Sequence, residues 1–414
     1  MLPIQYHTPA LFASHDGDEK LPVIFFLKIC YDSLEMANFL VIGTWNTKGE
    51  ELEFVCRELV RRGHTPVKLD LSSEKSGRER DEVVSDTVDR AKRTLSDLLA
   101  RDRIAGMLSV GGGTNLGMFL RIMTEVPLMV PKVVASTMIA NSLTLLRNHK
   151  DIVYVQVPCD FGWLNPLSEP ILKNCVSIVT SMDGGLPQPE RPAVAITNIG
   201  ITSACLPGAK AFWDEKGYLL IPFHAIGEST MAMAELIAQG FFRGVLDLTL
   251  HDILDHIAGG SYGRLDDGRL YAYLSRDLPA VMAPGAIDLI AYMPEQGVQP
   301  RAFAKRKVYR YDFRWCAPAT RKEIVGVAKW IGRILDKTRP RHTLFLIPRG
   351  GWSGVGVAGS EYYSLELVEA FRKQMLKSWS AEFILDVDLP LDDPRFARLA
   401  SELLFELMQR KWKT

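Results

Sequence analysis

The 414-residue chain reads as an α/β protein built from two doubly wound, Rossmann-like domains with mostly parallel sheets. Short apolar runs alternate with longer amphipathic stretches from Phe39 to the C-terminus, which is the pattern of βαβ units. The alternation stops once, in the Pro- and Gly-rich segment MDGGLPQPERP (182–192), and then restarts. The length suits two domains of roughly 150 to 200 residues rather than one compact core. A hydrophobic content of 47% furnishes both.

Residues 1–38 lack a clear period, and Met36 stands just before the first strand. The expectation is a native start at Met36, with an N-terminal extension before it that is non-native or poorly ordered. The first domain then runs 39–185 and the second 192–414. In the first, FLVIG (39–43) is a strand, Glu50 to Arg62 a helix stopped by Gly63, and PVKLDL (66–71) the next strand. A polar helix from Arg80 to Ala100 leads to IAGMLSV (104–110), a glycine turn, another helix and KVVAS (132–136). In the second, strands fall at AVAIT (193–197), YLLIPF (218–223), GVLDLT (244–249), AVMAP (280–284), TLFLIP (343–348) and EFILDV (382–387). Helices end near Gly217 and Gly240, span Thr320 to Lys337 and Leu365 to Lys377, and begin again at Pro394.

Lys and Arg number 49 and Asp and Glu also 49, so no positive excess is available to neutralise a nucleic-acid backbone. The most apolar early run, LPVIFFLKIC (21–30), is about half a bilayer span and comes after acidic residues rather than a basic leader. The expectation is therefore no nucleic-acid partner and no membrane span. Cys30, Cys56, Cys159, Cys175, Cys205 and Cys316 are scattered without a C-x-x-C pair, which favours a reducing cytoplasm. A homodimer is expected only because it is the commonest closed assembly.

Open α/β sheets bind ligands beyond the carboxyl ends of their strands, so the turn after each strand decides the functional reading. After the first strand come Gly43, Thr44, Trp45, Asn46, Thr47, Lys48 and Gly49: glycines for close approach, hydroxyls, and a cation at a helix start. The order is neither a Walker A loop nor G-x-G-x-x-G, and an ordinary helix cap is the competing reading. After the third strand, Gly111, Gly112, Gly113, Thr114 and Asn115 form a turn whose three glycines cost backbone entropy unless something must approach the main chain or the turn is very tight. Ser136 and Thr137 add hydroxyls to the same rim.

In the second half His224 ends a strand and Gly227, Glu228, Ser229 and Thr230 open a helix, a receiver for an anionic group beside an acid–base residue; a structural histidine is the alternative. Asp247 closes another strand. His251/Asp255 and Asp252/His256 are both spaced i, i+4 and could each share a face, but an ordinary polar helix surface is favoured over a metal site. Arg349 beside Gly350 and Gly351 could take a carboxylate or phosphate, or be a solvated turn. Asp288 could share that rim.

Taken together, GTWNTKGEE, SVGGGTN and VPKVVAST in the first half, with ITNIGITSAC, PFHAIGESTMAMAELIAQG, GVLDLTLHDI, MAPGAIDLI and LDDPRFA in the second, resemble the two-domain ATP-binding family related to the plant tobamovirus-resistance factor. The resemblance spans Phe39 to the C-terminus. It implies ATP or a related nucleotide, with or without Mg2+, on the glycine turns of the first domain. The chain departs from the family pattern at Asn46, where Asp is usual, in its shorter Gly111 turn, after Thr137, and at Pro318-Ala319-Thr320-Arg321. The leading expectation is a nucleotide-binding protein that acts on a small anionic metabolite at the interdomain cleft, with His224, Asp247 and Arg349 as catalytic candidates and Gly227 to Thr230, Gly350 and Gly351 as substrate contacts. The alternative is a non-catalytic binding or regulatory module that keeps the fold with an altered ligand site.

Overall fold

A computed structural model describes residues 36–73, 78–101, 103–142, 148–294 and 300–411. The expected extension before Met36 lies outside the described residues.

In the first domain, strands β1 (Asn38–Gly43), β2 (Thr65–Asp70), β3 (Ile104–Gly111), β4 (Lys132–Ser136) and β5 (Val153–Gln156) form one parallel sheet in the order β2-β1-β3-β4-β5. Helices α1 (Trp45–Arg61), α2 (Arg80–Arg101), α3 (Gly113–Ile122) and α4 (Ser168–Ser181) cover both faces. Side chains alternate across a strand, so an unbroken apolar run needs two covered faces. Phe39 and Val41 duly pack with Leu52, Val55, Val176 and Val179 of α1 and α4, whereas Leu40 and Ile42 pack with Val88, Leu95, Leu116 and Phe119 of α2 and α3.

The second domain repeats this plan. Strands β6 (Ala193–Asn198), β7 (Leu219–His224), β8 (Phe242–Thr249), β9 (Ala280–Gly285), β13 (Thr343–Pro348) and β14 (Ile384–Val387) pair in parallel in the order β14-β13-β9-β8-β6-β7. Val194, Ile196 and Leu246 face helices α5 (Leu206–Glu215) and α11 (Pro394–Lys411). Ala195, Val245 and Met282 face α6 (Gly227–Ala238), α7 (His251–Ala258), α8 (Gly268–Leu274), α9 (Arg321–Thr338) and α10 (Leu365–Met375). Gly208 lets α5 press on α11: a Cβ there would stand 1.9 Å from the Pro394 carbonyl oxygen.

Three features depart from the sequence reading. Helix α1 starts at Trp45, not Glu50, and kinks at Lys48 (φ −130°, ψ 27°), where its periodic part begins. The strand in EFILDV is shorter, with a 3-10 turn over Ala381–Phe383 before it. Strands β10 (Leu289–Tyr292), β11 (Tyr309–Arg310) and β12 (Trp315–Pro318) form a separate antiparallel sheet in the order β10-β12-β11. Among the described residues no helix is long and apolar enough to cross a membrane.

Candidate functional site

In each large sheet the first strand in sequence lies between the second and the third, so strand order reverses there and a crevice opens beyond the carboxyl ends of the first and third strands. Both crevices hold a pocket.

The N-terminal pocket, about 330 Å³, brings together the turns after β1 and β3 and the start of α2. Thr44, Asn46, Thr47 and Lys48 form one wall, Gly112, Gly113, Thr114 and Asn115 another, and Arg80 stands over them. The two turns contribute differently. At α1 the first amides are taken: Trp45 N–H donates to Asp70 Oδ1 (3.2 Å), Asn46 N–H to Ser72 Oγ (3.0 Å), and Thr47 and Lys48 N–H to the Thr44 carbonyl. The Asp70 carboxyl, which burial alone would raise, is held below its ordinary range by the Ser72 hydroxyl and the amides of Ser72 and Trp45. At α3 no side chain caps the helix, and the amides of Gly113, Thr114 and Asn115 have no acceptor among the described residues. These amides and the positive end of α3 face the pocket, so the β3 turn is the anion receiver and the β1 turn a wall.

The glycines divide in the same way. Gly43 and Gly111 are required by packing, since a Cβ would meet Leu52 at 2.8 Å or the Asn115 side chain at 2.6 Å. A Cβ at Gly112 or Gly49 would meet nothing within 4 Å. Gly112 therefore leaves open space at the pocket floor that no protein atom uses. Asn115 is buried, donates from Nδ2 to Ser109 Oγ (3.0 Å), and keeps an unpartnered Oδ1. Lys48 has no ion-pair or hydrogen-bond partner among the described residues, and Arg80 donates to Thr114 Oγ1 (2.9 Å). Leu71, Val83, Val84 and Met118 make the remaining wall apolar. Ser136, paired in register with Gly111, is buried and accepts from Met138 N–H; neither it nor Thr137 lines the pocket.

The second-half candidates disperse. Asp247 has no exposed surface: Arg269 grips it with two 2.8 Å bonds, and Tyr273 and Thr197 donate to it at 2.7 and 2.8 Å. Arg269 also donates to Asp252 (2.9 Å), which accepts from Thr230 as well. Asp247 and Thr230 thus belong to a buried network beneath the sheet's end, not to a cleft. Arg349 pairs with Glu369 and Asp386 and lines neither crevice pocket nor the cleft between the domains. Gly350 packs on the Leu389–Pro390 main chain and Gly351 (φ +127°) on Gly356. Gly227 donates to the Tyr262 carbonyl (2.8 Å), so that amide is taken, and a Cβ on it would stand 2.2 Å from the Arg264 carbonyl oxygen.

Glu228 and Ser229 line the interdomain cleft with His149, Lys150 and Asp151. Glu235 ties the domains there, accepting from Leu128 N–H (2.9 Å), His149 Nε2 (3.1 Å) and Lys150 Nζ. Burial alone would raise the Glu235 pKa, but these donors outweigh it and hold it down at about 2. With that ammonium engaged and Glu228, Asp151 and Asp266 nearby, the cleft is poorly suited to an anion.

His224 reaches the second crevice, a pocket of about 170 Å³ closed over by the antiparallel sheet. It shares the lining with His251, Tyr262, Tyr311, Arg314 and Cys316. The apolar wall and the Arg314 charge push the His224 pKa below its ordinary 6.5. Burial pushes the Cys316 thiol up to about 12, with Asp255 adding to it, so this cysteine is no ready nucleophile. Helix α7 is not the expected polar surface: of its four histidines and aspartates, His251, Asp252 and Asp255 are buried and His256 alone is exposed. No cluster of three or more metal-ligating side chains occurs among the described residues. Sequence reasoning weighs His251 only as half of an i, i+4 pair and favours a polar helix surface; the signal for a buried site residue is its place directly after a β8 rich in apolar residues.

Two family models match the chain: the Uncharacterised protein family (UPF0261) N-terminal domain over residues 72–185 and the Uncharacterised protein family (UPF0261) C-terminal domain over residues 191–408. The chain is 26% identical over 404 residues to a UPF0261 protein of Clostridium tetani, covering 90% of this chain and 99% of that one. It is 28% identical over 398 residues to a UPF0261 protein of Rhizobium meliloti, covering 88% and 98%. To the ToMV resistance protein Tm-1(GCR237) of Solanum lycopersicum it is 25% identical over 281 residues, covering 66% of this chain and 37% of the tomato protein. With models for both halves matching in order, the chain belongs to the UPF0261 family.

Proposed function

We propose that the N-terminal pocket binds ATP or a related nucleotide, and that the protein uses it in acting on a small anionic metabolite. The observation that carries this reading is the set of three unpartnered amides at the start of α3, facing Lys48 and Arg80 across one pocket at the point where strand order reverses. Phosphate oxygens suit the amides and the two cations, and the apolar wall of Leu71, Val83, Val84 and Met118 suits a base or sugar face. Among the described residues no carboxylate lines the pocket. A Mg2+ ion would therefore be held mainly by the ligand's own phosphates and water, with Thr44, Asn46 and Thr47 as neutral oxygen donors. Asn46 in place of a carboxylate is consistent with that arrangement.

Thermal shift and titration calorimetry with ATP, ADP, AMP and adenosine, each with and without Mg2+, test the reading. A nucleotide at a hundred times its Kd stabilises by ~2.7 kcal/mol, which for a domain of this size raises Tm by about 5 to 10 °C. Affinity should fall from ATP to adenosine as phosphates are removed. Lys48→Met should weaken ATP roughly 10- to 100-fold, the loss of one charge-assisted contact. Equal binding of adenosine and ATP, or no shift with millimolar nucleotide, would overturn the proposal.

A further inference from the structure

The pocket of the second domain has its own chemistry, centred on His251. This ring is 1% exposed, and its Nδ1 lies 2.9 Å from the Ala286 carbonyl oxygen. A carbonyl only accepts, so Nδ1 carries a proton, and in the tautomer this bond selects Nε2 is the acceptor. That Nε2 is buried and has no hydrogen-bond partner among the described residues, and His251 lines the pocket. Asp255 Oδ2 stands 3.8 Å from it, but both Asp255 oxygens are occupied by main-chain N–H groups, of Tyr262 (2.9 Å) and Ala291 (3.1 Å). Asp255 is not among the residues that line the pocket.

Among the described residues only one permanent charge lines this pocket, the Arg314 guanidinium. Asp312 holds its Nε and Nη2, which fixes its orientation. Tyr262 lines the same pocket, and a phenol can donate its proton to a ligand oxygen. Size is set by Gly200, where a Cβ would stand 2.8 Å from the Tyr311 hydroxyl. The cavity of about 170 Å³ is close to one that admits benzene, so it suits a branched skeleton of about four to six carbons.

We propose that this pocket is a second ligand site, separate from the nucleotide pocket, for a small hydroxycarboxylate: the carboxylate lies on Arg314 and Tyr262, and the hydroxyl donates to His251 Nε2. The assignment does not depend on nucleotide binding. An uncharged apolar body fills the space between the tyrosines, and an ammonium in place of the hydroxyl would meet the guanidinium's field.

The test uses the full chain with 2-hydroxyisovalerate, with isovalerate lacking the hydroxyl, and with 3-methyl-2-butanol, in which a methyl group replaces the carboxylate. Binding is measured by calorimetry and by 15N NMR of ring-labelled histidines. The expected result is that 2-hydroxyisovalerate binds at least tenfold tighter than isovalerate and moves one Nε2 resonance that is missing from His251→Gln. In that variant the two acids should bind alike, and the alcohol should bind more weakly than either acid to the native protein. If His251→Gln fails to fold, Arg314→Gln, whose side chain is partly exposed, decides: both acids must lose at least tenfold. No histidine nitrogen shift at millimolar acid, undiminished binding in Arg314→Gln, or displacement of the acid by ATP would overturn the proposal.

Discussion

Replacing Glu235 by Gln tests how firmly the two domains are joined. The native carboxylate, 19% exposed, accepts from Leu128 N–H, His149 and Lys150 and is carried from an ordinary 4.5 down to about 2. A displacement of that size corresponds to ~3 kcal/mol favouring the charged, folded form at neutral pH. Its sign is set by the direction: a lowered carboxyl contributes fully above its unfolded value, and the contribution fades as pH falls from 4.5 toward 2. At pH 3 about 1.4 kcal/mol of it remains. Glutamine keeps an acceptor for Leu128 but leaves the Lys150 ammonium, 3% exposed, without its counter-charge. Scanning calorimetry should therefore show Tm lowered by roughly 6 to 12 °C at pH 7, with the gap to the native protein about halved at pH 3. Adding Lys150→Met to the variant should recover part of the loss, because an apolar pair replaces an orphaned charge. A variant that melts with the native protein at pH 7, or whose deficit is unchanged by acid, would refute the reasoning.

Arg269→Met should cost at least 3 to 5 kcal/mol, since it leaves Asp247 and Asp252 buried without their cation; chemical denaturation or loss of soluble expression reads the effect. Gly111→Ala should destabilise the first domain because its Cβ overlaps Asn115, whereas Gly112→Ala should leave stability nearly unchanged and weaken nucleotide binding, a contrast that paired thermal-shift measurements check. Cys56, at about 11, and Cys175, Cys205 and Cys316, each at about 12, are raised first by burial, so mass spectrometry after iodoacetamide at pH 7.5 should find them modified only on unfolding.

The parts of the fold legible in the sequence are those set by local rules. Phe39 to Ile42 and Val194 to Ile196 are unbroken apolar runs because both faces of each strand are covered, and Gly63, Gly217 and Gly240 mark helix ends because their φ values of +84°, +74° and +80° suit glycine. The start of α1 is hidden because Trp45, Asn46 and Thr47 precede the kink and carry no helical apolar period. The ligand-facing rim is legible in part. The triple glycine marks the pocket, but that the amides of α1 are taken depends on Asp70 and Ser72, one strand away. Asp247 reads as a site residue because its partner Arg269 lies 22 residues along the chain. His251 and Asp255 read as a solvated face because the small sheet that buries them is formed by β10, β11 and β12, more than 30 residues downstream.

That small sheet also separates two tasks in the second domain. The parallel sheet and α7 hold His251, whereas Arg314, Tyr309 and Tyr311 arrive on an antiparallel flap inserted between β9 and α9. Changes in the flap can alter which molecules are admitted without disturbing the strands that give the domain its strength. The cover can thus vary in sequence without moving the buried imidazole beneath it.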